Sequence, residues 1–231
     1  MPRPHALLLV AALATLSACG ASRAPAAPAY QMGPEAAKAR AAADSLRYPY
    51  TKADIDFMTG MIHHHAQAIV ISKWAVSHGA SDAVQRLTAR IINAQTDEIT
   101  LMQTWLGDRN QPVPRVDSLG VVTIPGDPHA GHGGHGGHAE MPGMLTAAQL
   151  DSLGAARGTE FDRLFLTYMI QHHRGAITMV KELFSHHGAG QNETIFKFAA
   201  DVEVDQSTEI RRMLQMLLEL DAVETPRDSR Q

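Results

Sequence analysis

Cysteine is almost missing from this chain, with one residue, Cys19, in 231. A disulfide within the chain and a nucleophilic thiol paired with a second Cys are therefore excluded. Aromatic residues are sparse, six Phe, four Tyr and two Trp. There is no block of Lys or Arg and the formal net charge is -4, so the electrostatic footprint of a nucleic-acid partner is lacking. No phosphate-binding glycine loop and no Ser/His/Asp order is visible. The longest apolar run, Ala6 to Leu16, is too short to cross a bilayer as a mature helix. Against these absences stand thirteen His and eleven Met, a balance that points to imidazole and thioether chemistry.

The apolar run has its own meaning. Arg3 supplies a positive start, and Leu16-Ser17-Ala18-Cys19 closes the run as a bacterial lipobox does. Residues 1–18 read as a lipoprotein signal peptide, cleaved before Cys19, with lipid attached to the Cys19 thiol and the new amino terminus. Acyl chains contribute about 0.8 kcal/mol per buried methylene, so the mature protein is expected to sit on a membrane in the cell envelope, facing the periplasm. Gly20 at the following position is not Asp, which permits outer-membrane sorting. Residues 19–34, rich in Ala and Pro without an apolar period, read as a tether.

The rest of the chain is organised by a duplication. Asp54-x-x-Phe57-x-x-x-Met61-Ile62-His63-His64-His65-x-x-Ala68-Ile69 returns as Asp162-x-x-Phe165-x-x-x-Met169-Ile170-Gln171-His172-His173-x-x-Ala176-Ile177 at one constant offset. Downstream, Gln95-x-x-Glu98-Ile99-x-x-Met102 answers to Gln206-x-x-Glu209-Ile210-x-x-Met213. Each copy reads as a helix pair, the first over 35–106 and the second over 146–221, with a polar tail at 222–231. Thr51 with Asp54, and Thr159 with Asp162, place a hydroxyl at a helix start and a carboxylate in the first turn. Gly79 and Gly188 sit where a left-handed residue ends a helix. Short helices are expected over Glu35 to Leu46 and from Thr146 to about Arg157, the latter opened by the capping pattern Thr146-x-x-Gln149. Four main helices make the expected fold all-α, a duplicated four-helix bundle.

Helical spacing brings His64 and His65 to either side of the Met61/Ala68 stripe that must face the interior, and turns His63 outward to solvent. In the second copy His172 and His173 keep the inward positions while Gln171 replaces the outward one. On the partner helices, Glu98 and Glu209 lie inside apolar stripes. A buried carboxylate needs a cation, a donor or a metal, and the inward His is the obvious partner. His-Glu pairs that only fix helix register are one reading. Four inward His, two inward Glu and several Met on the same faces favour a metal site. The expected ligand positions are His64, His65, His172 and His173, with Glu98, Glu209, Met61 and Met169 as candidate ligands or supporting groups. Adjacent His on a helix point about 100° apart, so a single ion is not expected to take both. Imidazole with thioether suits copper, and imidazole with carboxylate suits zinc, copper or iron; the order of preference is copper, zinc, iron.

Between the copies, residues 107–145 form a linker whose second half carries His129, His132, His135 and His138 spaced by Gly, followed by Met141 and Met144. This stretch reads as an auxiliary metal-capture arm, disordered without ligand. Ordering it costs about 1 to 2 kcal/mol per residue, so binding is expected to be labile and to weaken as pH falls through about 6.5.

From Met61-Ile62-His63-His64-His65, and from Phe161-Asp162-Arg163-Leu164-Phe165 through His172-His173-Arg174-Gly175-Ala176, the chain resembles the bacterial secreted family known as domain of unknown function 305, over roughly residues 50 to 221. The resemblance implies a ferritin-like four-helix bundle outside the cytoplasm, in a family some of whose members are associated with copper binding and tolerance. It implies no catalytic activity. Diiron ferritin-like proteins place Glu three residues before the ligand His; here Met61 and Ile62, or Met169 and Ile170, stand at those positions. The expected function is binding, buffering or handover of metal in the cell envelope. The alternatives are a redox enzyme using the same site and a structural or partner-binding module without metal.

Overall fold

The computed structural model describes residues 32–125 and 141–224. Cys19 and the four His of the Gly-His arm lie outside the described residues; Met141 and Met144 lie within them. The elements are α1 (Pro34–Arg47), α2 (Lys52–Ser77), α3 (Asp82–Asp108), β1 (Arg115–Val116), β2 (Val122–Thr123), α4 (Ala147–Ala155), α5 (Gly158–Ser185) and α6 (Glu193–Glu224). The helices α2 with α3, and α5 with α6, form the two hairpins, and α2 packs on α5 between them. No helix among the described residues is long and apolar enough to cross a membrane.

Local chemistry explains several of the helix ends. Thr51 caps α2 by accepting from the Asp54 backbone N–H while the Asp54 carboxylate accepts from the Thr51 N–H at 2.6 Å. Thr146 and Gln149 do the same for α4. Gly79, at φ 68°, takes the left-handed conformation just beyond the His78 cap of α2.

The start of α5 differs from expectation. Its N-cap is Arg157, without a side-chain cap, so Thr159 lies inside the helix. Asp162 is instead spent across the repeat boundary, where both its oxygens accept from the Ser81 backbone N–H at 3.1 and 3.2 Å. Asp54 makes the reciprocal contact, accepting from the Gly190 N–H at 2.7 Å. The start of α2 thus meets the turn after α5, and the start of α5 meets the turn after α2, which makes the two central helices antiparallel. Both carboxylates are buried, at 0% and 2% exposure. Removing one leaves a buried donor or turn without its charged acceptor, so Asp162→Ala is expected to destabilise by about 2 to 3 kcal/mol in chemical denaturation. Thr159→Ala is expected to change stability by less than about 0.5 kcal/mol.

The core falls into two apolar clusters. One joins Phe57, Met61, Met102, Trp105, Val180 and Phe198 with their neighbours. The other joins Ile71, Leu87, Ile91, Phe161, Phe165 and Met213 with theirs. The residues of α2 and α5 that fall between the two clusters in sequence are the paired histidines.

The linker is more structured than a polar spacer. β1 and β2 pair antiparallel, Arg115 opposite Thr123 and Val116 opposite Val122. Val113, Val116 and Val122 pack against the first cluster. Gly120 comes so close to Val70 that a Cβ there would lie 2.0 Å from Cγ2, and Lys73 donates to the Ser118 carbonyl. Val70 and Lys73 share a face of α2 with His63 and Ala66. That face is therefore covered, and His63 is buried at 7% exposure where the helical spacing predicted a solvent-facing ring.

Candidate metal centre

His64, His65, His172 and His173 are all 0% exposed. They sit mid-helix on α2 and α5 and form, with Gln95 and Gln206 from α3 and α6, a polar layer between the two apolar clusters. The His64 and His172 rings, one from each repeat, have centroids 3.7 Å apart. Within each repeat the adjacent rings are 6.4 Å apart and inclined at 57°, identically in both copies. The duplication is thus reproduced as local twofold symmetry, with His64 and His172 meeting at its centre and His65 and His173 further out.

Each outer His has a carboxylate behind it. His65 Nε2 lies 2.6 Å from Glu98 and His173 Nε2 lies 2.7 Å from Glu209. The Glu side chains reach the edge of the bundle, at 20% and 21% exposure. His64 Nε2 lies 3.1 Å from the Pro142 carbonyl oxygen. A carbonyl or carboxylate oxygen only accepts, so Nε2 carries a proton in these three rings; in His64, which burial keeps neutral, Nδ1 keeps its lone pair. None of the four Nδ1 atoms has a hydrogen-bond partner. His172 also lacks one at Nε2; its approach to the His64 backbone carbonyl falls short of hydrogen-bond geometry.

The inner rings are held neutral. Burial, then the proximity of His65, pushes His64 down to about 3, against a smaller opposing effect of the Pro142 carbonyl. Burial, then His64 and the other two rings, holds His172 well below the ordinary imidazole value. Neutral buried imidazoles with bare lone pairs are electron-pair donors waiting for an acceptor.

The twofold symmetry is broken by a strap, residues 141–145, which crosses the α2/α5 seam. Gln67 on α2 pairs with the strap through both amide atoms, donating to the Leu145 carbonyl and accepting from the Leu145 N–H. Gln171 on α5 donates to the Gly143 and Met144 carbonyls. The repeat equivalent of Gln67 is Gly175, and there the strap lies directly on the helix, with Pro142 O 1.9 Å from where a Cβ would stand. The strap caps His64 and leaves His172 uncapped.

Met61 and Met169 are fully buried one turn before the His pairs, each packed within an apolar cluster. Met141, at the start of the strap, lies at a separate cavity beside Gly60, while the Met144 carbonyl accepts from Gln171. The remaining members of the Gly-His arm lie outside the described residues. Among the described residues no three His, Cys, Asp or Glu side chains are arranged to hold one ion. The structure brings together His64 with His172, His65 with Glu98 and His173 with Glu209, rather than all of them at one point. Met179 on α5 and His186 at its C-cap line the same cavity; neither belongs to the duplicated motif, and because His186 stands beyond the helix no helical spacing joins the two in the sequence.

Comparison with known proteins places this architecture. A solved DUF305 fragment from Deinococcus radiodurans is 26% identical, with 74% of this chain and 99% of that chain covered and a TM-score of 0.59. A DUF305 protein from Streptomyces coelicolor is 28% identical over 73% of this chain and 94% of that chain, at a TM-score of 0.56. CopM in its Cu(II)-bound form is 29% identical over 72% of this chain and 96% of that chain, at 0.55; its Cu(I)-bound form aligns at 0.52. Among curated sequences, an uncharacterised protein of Acanthamoeba polyphaga mimivirus is 39% identical over 56 residues, 24% of this chain, and the match spans 37% of that protein's length. The family model for the domain of unknown function DUF305 matches residues 54–217, from the Asp that opens the first repeat almost to the end of α6, and the chain belongs to that family.

Proposed function

We propose that this protein binds copper in the cell envelope through the histidine layer between its repeats, for storage, buffering or handover. The observation that carries the reading is the set of four buried Nδ1 atoms without partners, three of them in rings whose Nε2 faces an acceptor. An acceptor behind a His is the arrangement that orients imidazole ligands and raises their basicity. A buried polar atom left unsatisfied costs about 1 to 3 kcal/mol, so a layer of them is a poor device for stability alone. Two imidazoles meeting without a converging carboxylate suit a soft ion of low coordination number better than zinc or iron. CopM, similar in fold and sequence, has been solved with Cu(II) and with Cu(I), which supports copper over the other metals. The similar Streptomyces coelicolor protein is described as secreted, which supports a site outside the cytoplasm. Lipid attached at Cys19 would keep the domain at the membrane.

The test is titration of the mature protein with Cu(I), Cu(II) and Zn(II) against chromophoric chelators. His64→Ala/His172→Ala is expected to weaken copper binding by more than the roughly 10- to 100-fold that loss of a group supporting a ligand causes. Glu98→Gln/Glu209→Gln should fall within that smaller range. If the mature protein takes up no copper, or both variants bind as the parent does, the layer is a structural one and the His-Glu contacts serve only the fold.

A further inference from the structure

A second donor set lies away from the histidine layer. Beside the first turns of α2 is a cavity of about 420 Å³, bounded by Gly60 on α2, Met141 on the strap, Met179 on α5 and His186 at the C-cap of α5. Gly60 makes room for both thioethers. A Cβ at Gly60 would stand 3.3 Å from Met179 Cε and 3.4 Å from Met141 Sδ, so the two side-chain ends lie over the same point. His186, the residue that caps α5, has Nδ1 2.7 Å from the Glu182 carbonyl oxygen. That carbonyl accepts from Nδ1, so the neutral ring carries its lone pair on Nε2, in an exposed position at the rim. The nearby cation, Lys52, is paired with Asp56 at 2.6 Å and so adds little repulsion.

We infer that this cavity is a second metal site, one that takes a soft monovalent ion, Cu(I) or its analogue Ag(I), through the sulfurs of Met141 and Met179 and Nε2 of His186. Thioethers select soft ions and discriminate against Zn(II), and imidazole completes a set of low coordination number. Among the described residues the other repeat holds no counterpart of this site. At the equivalent positions of the other repeat, Gly60 is replaced by Tyr168 and Met179 by Ile71, and His78, the equivalent of His186, is engaged by Ser77 and the Gly154 carbonyl. Met141 adjoins Pro142, whose carbonyl accepts from His64, so an ion held here sits one residue from the contact that caps the buried layer. Binding at the cavity does not depend on the buried layer binding anything.

The experiment uses the full mature chain labelled with ¹³C at the methionine methyls and titrated with Ag(I), alongside Cu(I) competition against bicinchoninate. Met141 and Met179 methyl signals, assigned by single Met→Leu substitutions, should shift together within the first equivalents of Ag(I). Met141→Leu/Met179→Leu should lose one equivalent of Cu(I) while Zn(II) uptake and the helical circular dichroism stay unchanged, since Leu conserves Met volume. His186→Gln should weaken the same equivalent by at least about tenfold. His172→Ala, which leaves every contact of the strap intact, should leave it in place, which separates this site from the buried one. Unmoved Met141 and Met179 signals, or a full Cu(I) complement in the double Met variant, would overturn the assignment.

Discussion

Replacing Gly175 with alanine is expected to destabilise the protein by about 3 kcal/mol or more and to lift the strap off the bundle. Inside a helix the change from Gly to Ala ordinarily stabilises by close to 1 kcal/mol. Here the sign reverses, because the added Cβ would stand 1.9 Å from the Pro142 oxygen, 2.4 Å from its carbon and 2.6 Å from the Gly143 Cα. All three are backbone atoms, so no side chain can rotate away. Gly175 is buried in α5, and the strap is the part that must move. Moving it breaks the paired amide contact with Gln67, the contacts from Gln171 and the His64 contact with Pro142. Gly143 is constrained from the other side, at φ 78° and with Gln171 O 2.7 Å from its own Cβ position. Chemical denaturation measures the loss, and amide exchange at 143–145 shows where it arises. A Gly175→Ala variant as stable as the parent, with those amides still protected, would remove the strap from the account of the site.

Acid should unfold the metal-free protein through its two inner histidines. In the unfolded chain each takes up a proton near pH 6.5; in the folded protein His64 resists until about pH 3, and His172 is also depressed well below 6.5. Below pH 6.5 the unfolded state therefore binds more protons than the folded state, and stability falls as pH falls. The slope approaches about 1.4 kcal/mol per pH unit for each ring, and flattens only near the folded-state value. Between pH 7 and pH 4.5 the metal-free protein is expected to lose several kcal/mol. His172→Leu should carry a shallower dependence, by the share of one ring. A denaturation midpoint constant from pH 7 to 4.5 in the parent would mean that the inner rings are not held neutral by the fold.

Much of this was legible in the sequence, and the exceptions have physical reasons. The repeat, the starts of α2 and α4, and the burial of His64, His65, His172 and His173 follow from helical period and capping chemistry, which act within a turn or two of chain. His63 broke the same rule because period only says which side of a helix differs from which. It does not say that a loop 50 residues on will fold back to cover the second side, as β1, β2 and Gly120 do. Thr159 looked like a cap because Thr51 is one; the partner that Asp162 chose, Ser81, is distant in sequence and near only after folding. The strap left a trace that alignment of the two copies exposes, Gly175 opposite Gln67, but a glycine opposite an amide acquires meaning only once the backbone lying on it is seen.

The exchange between Asp54 with Gly190 and Asp162 with Ser81 has a bearing on how such a chain arises. Each hairpin donates the carboxylate that closes the other's turn, so the pair is geometrically what two identical hairpins would make as a closed twofold dimer. In such a dimer every departure from symmetry is forced to appear twice. Joined head to tail in one polypeptide, the halves are free to diverge: one keeps a tyrosine where the other opens a cavity with Gly60, and one offers an amide where the other gives way with Gly175. Fusion turned a symmetric core into a molecule with a distinct front and back.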